Sequence, residues 1–158
     1  MVFVCLGTND KSFVRLLEEV DKQINVGNIK DEVVVQTGCT KYASSNMTIV
    51  DLMSMREFSS YIKKCDLLIC HGGVGTILDG LKNNKKIIAF PRLSKYGEHV
   101  NDHQVEIINE FYNSGYILTG DVDDLDKLLI KSKDFEVKKY KSNNYKFNKI
   151  IIDYIDNL

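Results

Sequence analysis

The residues best suited to hold a ligand are crowded between positions 71 and 79: His71, Gly72, Gly73, Gly75, Thr76 and Asp79. They follow a short apolar run, Leu67–Cys70, which predicts a strand covered on both faces. Glycines at a strand-to-helix turn let a ligand come close to the main chain. The free N–H groups that open the next helix, at the positive end of its dipole, suit a phosphate. His71 and Thr76 add side-chain donors, and Asp79, one turn into the helix, can reach back to a ribose diol. The chemistry these types and spacings point to is the binding of a phosphorylated ligand. The spacing also excludes two alternatives. No Gly-Lys-Ser/Thr ending makes a P-loop, and Gly73-Val74-Gly75 lacks the third glycine of a dinucleotide fingerprint.

Such a loop needs a sheet to carry it, and the chain supplies one. Strand-like and helix-like blocks alternate, the pattern of an α/β, Rossmann-like, doubly wound and mostly parallel sheet. Strands are expected at Val2–Leu6, Glu32–Gln36, Met47–Leu52, Leu67–Cys70, Ile87–Phe90 and Tyr116–Leu118, with Pro91 ending the fifth. Ser12 is positioned to cap a helix whose apolar face holds Phe13, Leu16, Leu17 and Val20. Further helices are expected over Ser54–Lys64, Thr76–Leu81, His103–Tyr112 closed by Gly115, and Asp121–Lys131. Beyond them, Lys133–Asn144 is lysine-rich and expected to be loosely ordered. Asn148–Leu158 reads as an apolar helix that packs on the domain or on a partner. The organisation is thus a binding domain over 1–132 and a C-terminal segment over 133–158. In an open α/β sheet ligands bind beyond the carboxyl ends of the strands. That rule gathers Gly7-Thr8-Asn9, Thr37-Gly38, His71–Thr76 and the loop Pro91–Gln104 at one edge.

Composition narrows the function classes. At 158 residues the chain suits one domain with a proper core. Its 21 Lys and Arg nearly cancel its 22 Asp and Glu, which gives no electrostatic case for a nucleic-acid partner. Cys5, Cys39, Cys65 and Cys70 have neither metal nor disulfide spacing and read as reduced thiols of a cytoplasmic protein. The start, Met1–Thr8, carries no charged leader, and no stretch reaches the length of a membrane span.

Taken together, His71-Gly-Gly-Val-Gly-Thr76, Asp79, Pro91-Arg92 and Glu98-His99-Val100-Asn101-Asp102-His103-Gln104 resemble the C-terminal, donor-binding half of the family 28 glycosyltransferases of GT-B fold. Within that family the likeness is to the stand-alone subunits of two-part transferases. Those subunits act on dolichol-linked GlcNAc or on lipid-linked sugars in bacterial capsule and exopolysaccharide synthesis. The resemblance implies that His71, Gly73, Gly75 and Thr76 surround the diphosphate of a UDP-sugar. It gives Asp79, where the family usually has Glu, the ribose hydroxyls, and His103 and Gln104 the donor sugar. Gly7, Thr8, Asn9 and Gly72 complete the cleft, and backbone groups of Asp51–Met55 meet the uracil ring.

The implied reaction is inverting transfer of GlcNAc, galactose or glucose from UDP, without an essential metal, to a lipid-linked saccharide. Inversion needs a general base for the acceptor hydroxyl. Glu98, His99 and His103 are the candidates in this chain, with a partner's residue as the alternative; His71 is the further catalytic candidate, at the leaving diphosphate. His103 and Gln104 could equally cap their helix, and Arg92 could pair with phosphate or with Glu98. The expected partner is a membrane-anchored subunit that binds the acceptor and recruits this domain to the cytoplasmic face of the membrane. The competing readings are a non-catalytic nucleotide-binding module and a self-sufficient homodimeric transferase.

Overall fold

The computed structural model describes residues 1–141. Five parallel strands, Val2–Cys5 (β1), Val33–Gln36 (β2), Thr48–Val50 (β3), Leu67–His71 (β4) and Lys86–Phe90 (β5), form one sheet in the order β3-β2-β1-β4-β5. Every residue of β1 and β2 is buried, as the valine-rich runs require of strands covered on both faces. The helices are Val14–Asn25 (α1), Met55–Lys64 (α2), Val74–Lys82 (α3), His103–Asn113 (α4) and Leu125–Asp134 (α5). None of the helices among the described residues is long and apolar enough to cross a membrane.

Period-two alternation splits the core into two layers. Val2, Val4, Val33, Val35, Ile69 and Ile88 face Leu16, Leu17 and Val20 of α1 and Leu125, Leu128 and Leu129 of α5. Phe3, Cys5, Val34, Leu68, Cys70 and Ala89 face Ile62 of α2, Ile77 and Leu81 of α3 and Ile108 of α4. Register then levels the sheet. Val50, Gln36, Cys5, Cys70 and Ala89 are successive partners across all five strands, so the loops that follow emerge along one edge.

Four local expectations are corrected. Ser12 does not cap α1. The capping position falls on Phe13, whose ring is drawn fully into the core, and whose N–H is met by Thr40 Oγ1 at 3.0 Å. Helix α3 begins at Val74, not Thr76, because Gly73 takes the extended capping conformation and Gly75 is already helical. Tyr116–Leu118 contributes only a single parallel bridge, Leu118 to Ile88, rather than a sixth strand. Asp121–Lys131 divides into a short 3-10 turn, Val122–Asp124, and α5, which runs on to Asp134. The start of α2 is as expected: Ser54 and Glu57 form a reciprocal capping box. Of the lysine-rich stretch, residues 135–141 have no regular structure, though Lys138 donates to the Ser114 carbonyl at 2.9 Å. The expected helix at Asn148–Leu158 lies outside the described residues.

Candidate functional site

The turn after β4 is built so that donors remain unused. Gly73 is the N-cap of α3 and offers no side-chain acceptor, so the N–H groups of Val74, Gly75 and Thr76 have no partner within the helix. Gly72 and Gly73 are committed, to Gln104 Oε1 at 3.1 Å and the His71 carbonyl at 2.8 Å. Three convergent N–H groups at a helix start are the donor set for an anion. Thr76 stands above the sheet with its hydroxyl 3.8 Å from Cys5 Sγ.

His71, the last residue of β4, lies between two glycines. A Cβ at Gly7 or at Gly73 would strike its imidazole, which explains why both positions lack a side chain. Gly7 has φ of +73°, a further reason for glycine there. His71 Nδ1 is 3.3 Å from the Cys5 carbonyl. A carbonyl only accepts, so Nδ1 carries the proton and the neutral ring presents Nε2 as an acceptor. Burial brings the His71 pKa down to about 4, opposed by the bond to Cys5 and reinforced by the charge of Arg92. The ring is therefore neutral near pH 7, which corrects the expectation of a ready donor. To give a hydrogen bond to a diphosphate through Nε2 it must take up a proton, which a neighbouring anion favours.

Around this turn runs a cleft of about 320 Å³. Of the residues expected at the site it brings together Gly7, Thr8, His71, Gly73, Gly75, Thr76 and Asp79. Asp79 is partly exposed on α3, with Lys82 Nζ 3.8 Å from its carboxylate. Leu52, Met53, Met55 and Phe58 form the opposite wall, so part of the Asp51–Met55 segment reaches the cleft. Asp51 itself is taken up by Lys41 at 3.0 Å and the Thr37 hydroxyl at 3.3 Å.

The remaining expected residues do other work. Glu98 is not an available base: it is buried, and both carboxylate oxygens are occupied, by Arg15 at 2.9 and 3.0 Å and by the Leu93 N–H at 3.0 Å. Gln104 is likewise buried, and its Oε1 accepts from Gly72 and from Arg92, each at 3.1 Å, which ties the β4 turn to the β5 loop. His103 points into solvent beside Glu106 at 3.1 Å, and His99 Nδ1 lies 3.0 Å from the Asn101 carbonyl. Asn9 accepts the Lys11 N–H at 2.8 Å and closes its own turn. Arg92 does not pair with the Glu98 carboxylate. It is fully buried, donating to the carbonyls of Leu6, Lys11 and Glu98 at 2.8, 2.7 and 3.3 Å.

Three lining residues, Cys5, Gln36 and Phe58, are missing from the expected site, and Gln36 is the polar side chain with a free group among them. Gln36 ends the run Val33-Val34-Val35 on the floor of the cleft, and a lone amide at the close of a buried strand was the signal available.

Residues 1–158 match the glycosyltransferase family 28 C-terminal domain. Two relatives described as UDP-N-acetylglucosamine transferase subunit ALG13 are similar in sequence. That of Cryptococcus neoformans is 26% identical over 121 residues, 72% of this chain and 58% of that protein. That of Candida glabrata is 31% identical over 98 residues, 62% of this chain and 41% of that protein. The chain thus spans only part of the length of these relatives. Among solved structures, the solution structure of an ALG13 superposes with a TM-score of 0.56 at 22% identity, covering 94% of this chain and 93% of that one. MurG of Acinetobacter baumannii gives a TM-score of 0.56 at 14% identity, covering 98% and 49%. These structural likenesses speak for the fold, one half of a GT-B glycosyltransferase. The match along its whole length places the chain in the glycosyltransferase family 28 C-terminal domain family.

Proposed function

We propose that this domain binds the nucleotide end of a UDP-sugar, UDP-GlcNAc first among the candidates. In this reading it is the donor half of a two-part glycosyltransferase that acts with inversion on a lipid-linked saccharide. The observation that carries the reading is the start of α3, where the N–H groups of Val74, Gly75 and Thr76 have no partner among the described residues and Gly75 and Thr76 line a cleft that also holds His71 and Asp79. The relatives' description as subunits of a UDP-N-acetylglucosamine transferase supports the donor and the two-part arrangement. UDP-galactose and UDP-glucose are the other donors considered, in capsule or exopolysaccharide synthesis.

In the proposed reaction the bond between the anomeric carbon and the diphosphate breaks, and charge grows on the leaving UDP. Preoriented N–H groups stabilise that charge without rearranging. This accounts for the leaving group without calling on a metal. A proton arriving at His71 Nε2 as the diphosphate binds would add one more donor. The acceptor hydroxyl must lose its proton to a base. Glu98 is spent in an ion pair, so the base is assigned to His99, to His103 or to a membrane-anchored partner that brings the acceptor. The partner would hold this domain at the cytoplasmic face of the membrane.

Titration calorimetry with UDP, ADP and GDP on wild type and His71→Ala tests the binding step. UDP-selective heat that the variant loses is the expected result; equal affinity for all three nucleotides counts against the reading. Asp79, placed at the ribose, is the only carboxylate lining the cleft among the described residues, which also favours a second possibility, a nucleotide-binding module that performs no transfer. Sugar transfer to lipid-linked acceptor on adding a membrane fraction excludes that module; UDP binding with no transfer under any partner supports it.

A further inference from the structure

We infer that the Gln36 carboxamide reads the base of the bound nucleotide, taking the ring imide N–H of a uracil on Oε1 and donating from Nε2 to the adjacent ring carbonyl. The inference rests on the reading that the cleft holds UDP.

Three observations carry it. Gln36 is 5% exposed, and its Oε1 has neither a hydrogen-bond partner nor contact with solvent among the described residues. An orphaned amide oxygen in the interior is destabilising, and a fourth valine after Val33-Val34-Val35 would avoid that cost. Arg92 Nε is the other such atom among the described residues, but it is sealed in the interior, whereas Gln36 lines the cleft, where a partner can arrive.

The second observation is position. Gln36 shares a row and a face with Cys5 and Cys70, and lies two strands from β4, about 10 Å from the foot of the anion-binding turn. That separation is of the order of the reach from a diphosphate across its ribose to the base. With the diphosphate on α3 and the ribose near Asp79, the base falls over β2.

The third is the wall around it. Leu52 and Met55 are 63% and 76% exposed, and with Met53 and Phe58 they line the same cleft as Gln36. Apolar side chains open to solvent beside a polar floor suit a flat ring that is apolar on its faces and polar at its edge. The terminal torsion of Gln is broad, so the amide turns toward the ring without leaving its rotamer. The carboxamide offers one acceptor and two donors, the complement of a uracil imide and its carbonyl.

The experiment is calorimetry on the full chain, wild type and Gln36→Met, with UDP, 3-methyl-UDP and pyrophosphate. Methionine keeps the length and removes the hydrogen bonds. The expected result is an unliganded melting temperature that does not fall, UDP affinity down about tenfold, and pyrophosphate affinity unchanged. Wild type should bind 3-methyl-UDP about tenfold more weakly than UDP, and the variant should treat the two alike. The 3-methyl comparison on wild type needs no variant to fold. If wild type binds UDP and 3-methyl-UDP equally, or Gln36→Met binds UDP as wild type does, the inference alone is overturned. Wild type that binds neither UDP nor pyrophosphate overturns the UDP reading and this inference with it.

Discussion

The two ends of the sheet each carry a cavity, and the larger lies away from the chemistry. At the starts of β1, β4 and β5 a cavity of about 500 Å³ is lined by Met1, Asp66, Lys85, Lys86 and Ser132 among others. Most of its charges are already spent. Lys85 caps the end of α2 through the carbonyls of Lys63 and Cys65, at 2.6 and 2.8 Å. Lys86 does the same for α5 through Ser132 and Lys133, both at 2.6 Å, and the terminal ammonium holds Asp66 at 2.8 Å. The cleft at the strand ends is smaller, about 320 Å³, but it keeps the backbone donors of Gly75 and Thr76, an imidazole nitrogen and an amide oxygen without partners among the described residues. Unspent hydrogen-bonding capacity, more than volume, separates a binding edge from a structural one.

Substitutions at the two edges should therefore separate binding from stability. The largest effect is expected from Gly73→Ala, which sets a methyl against the His71 ring and displaces it from the donors. UDP affinity measured by calorimetry should fall about 10- to 100-fold, in line with the cost of overpacking. An unchanged affinity would remove His71 from the site.

Glu98→Ala comes next. It strands Arg15 and the Leu93 N–H, and should lower unfolding stability by roughly 3 kcal/mol in urea titrations. A variant as stable as wild type but inactive in transfer would instead restore Glu98 as a base.

The pH dependence is of similar size. His71 titrates at about 4 in the folded chain against 6.5 ordinarily. Between those values the unfolded chain holds more protons, so its contribution is full above pH 6.5 and shrinks as pH falls toward 4. The loss amounts to about 3 kcal/mol across that window. Unfolding of wild type and His71→Gln at about pH 7 and about pH 4.5 reads it, and the variant should lose less on acidification. Equal losses in the two proteins would mean the buried ring is not the cause.

The smallest effect is expected at the far edge. Lys85→Met should cost about 1 kcal/mol of stability and leave UDP affinity where it was. A loss of affinity there would erase the distinction between the edges.

Much of this was legible in the chain. The buried strands were read to within about two residues, because valine- and isoleucine-rich runs bounded by glycine, proline or polar residues leave little choice. The glycine-rich turn after β4 and the helix it opens were also legible, since they lie in consecutive residues. The errors fell where long-range contacts decide. Gln104 and Glu98 sit in a segment whose order suggests ligand contact, yet their partners are Gly72 and Arg15, 32 and 83 positions away. The capping position falls on Phe13 instead of Ser12, and the Phe13 amide is met by Thr40, 27 positions away. Nothing in local spacing tells that Gly7 and Gly73 enclose one imidazole.

Arg92 has a consequence for any attempt to change what this domain accepts. Its guanidinium joins the loops that follow β1 and β5 through the carbonyls of Leu6, Lys11 and Glu98. These loops are consequently not interchangeable modules. A graft that replaces residues 91–102 alone must also keep the backbone path at positions 6 to 11, or a buried cation is left unanchored. The smallest transplantable unit is the pair of loops together with the arginine between them.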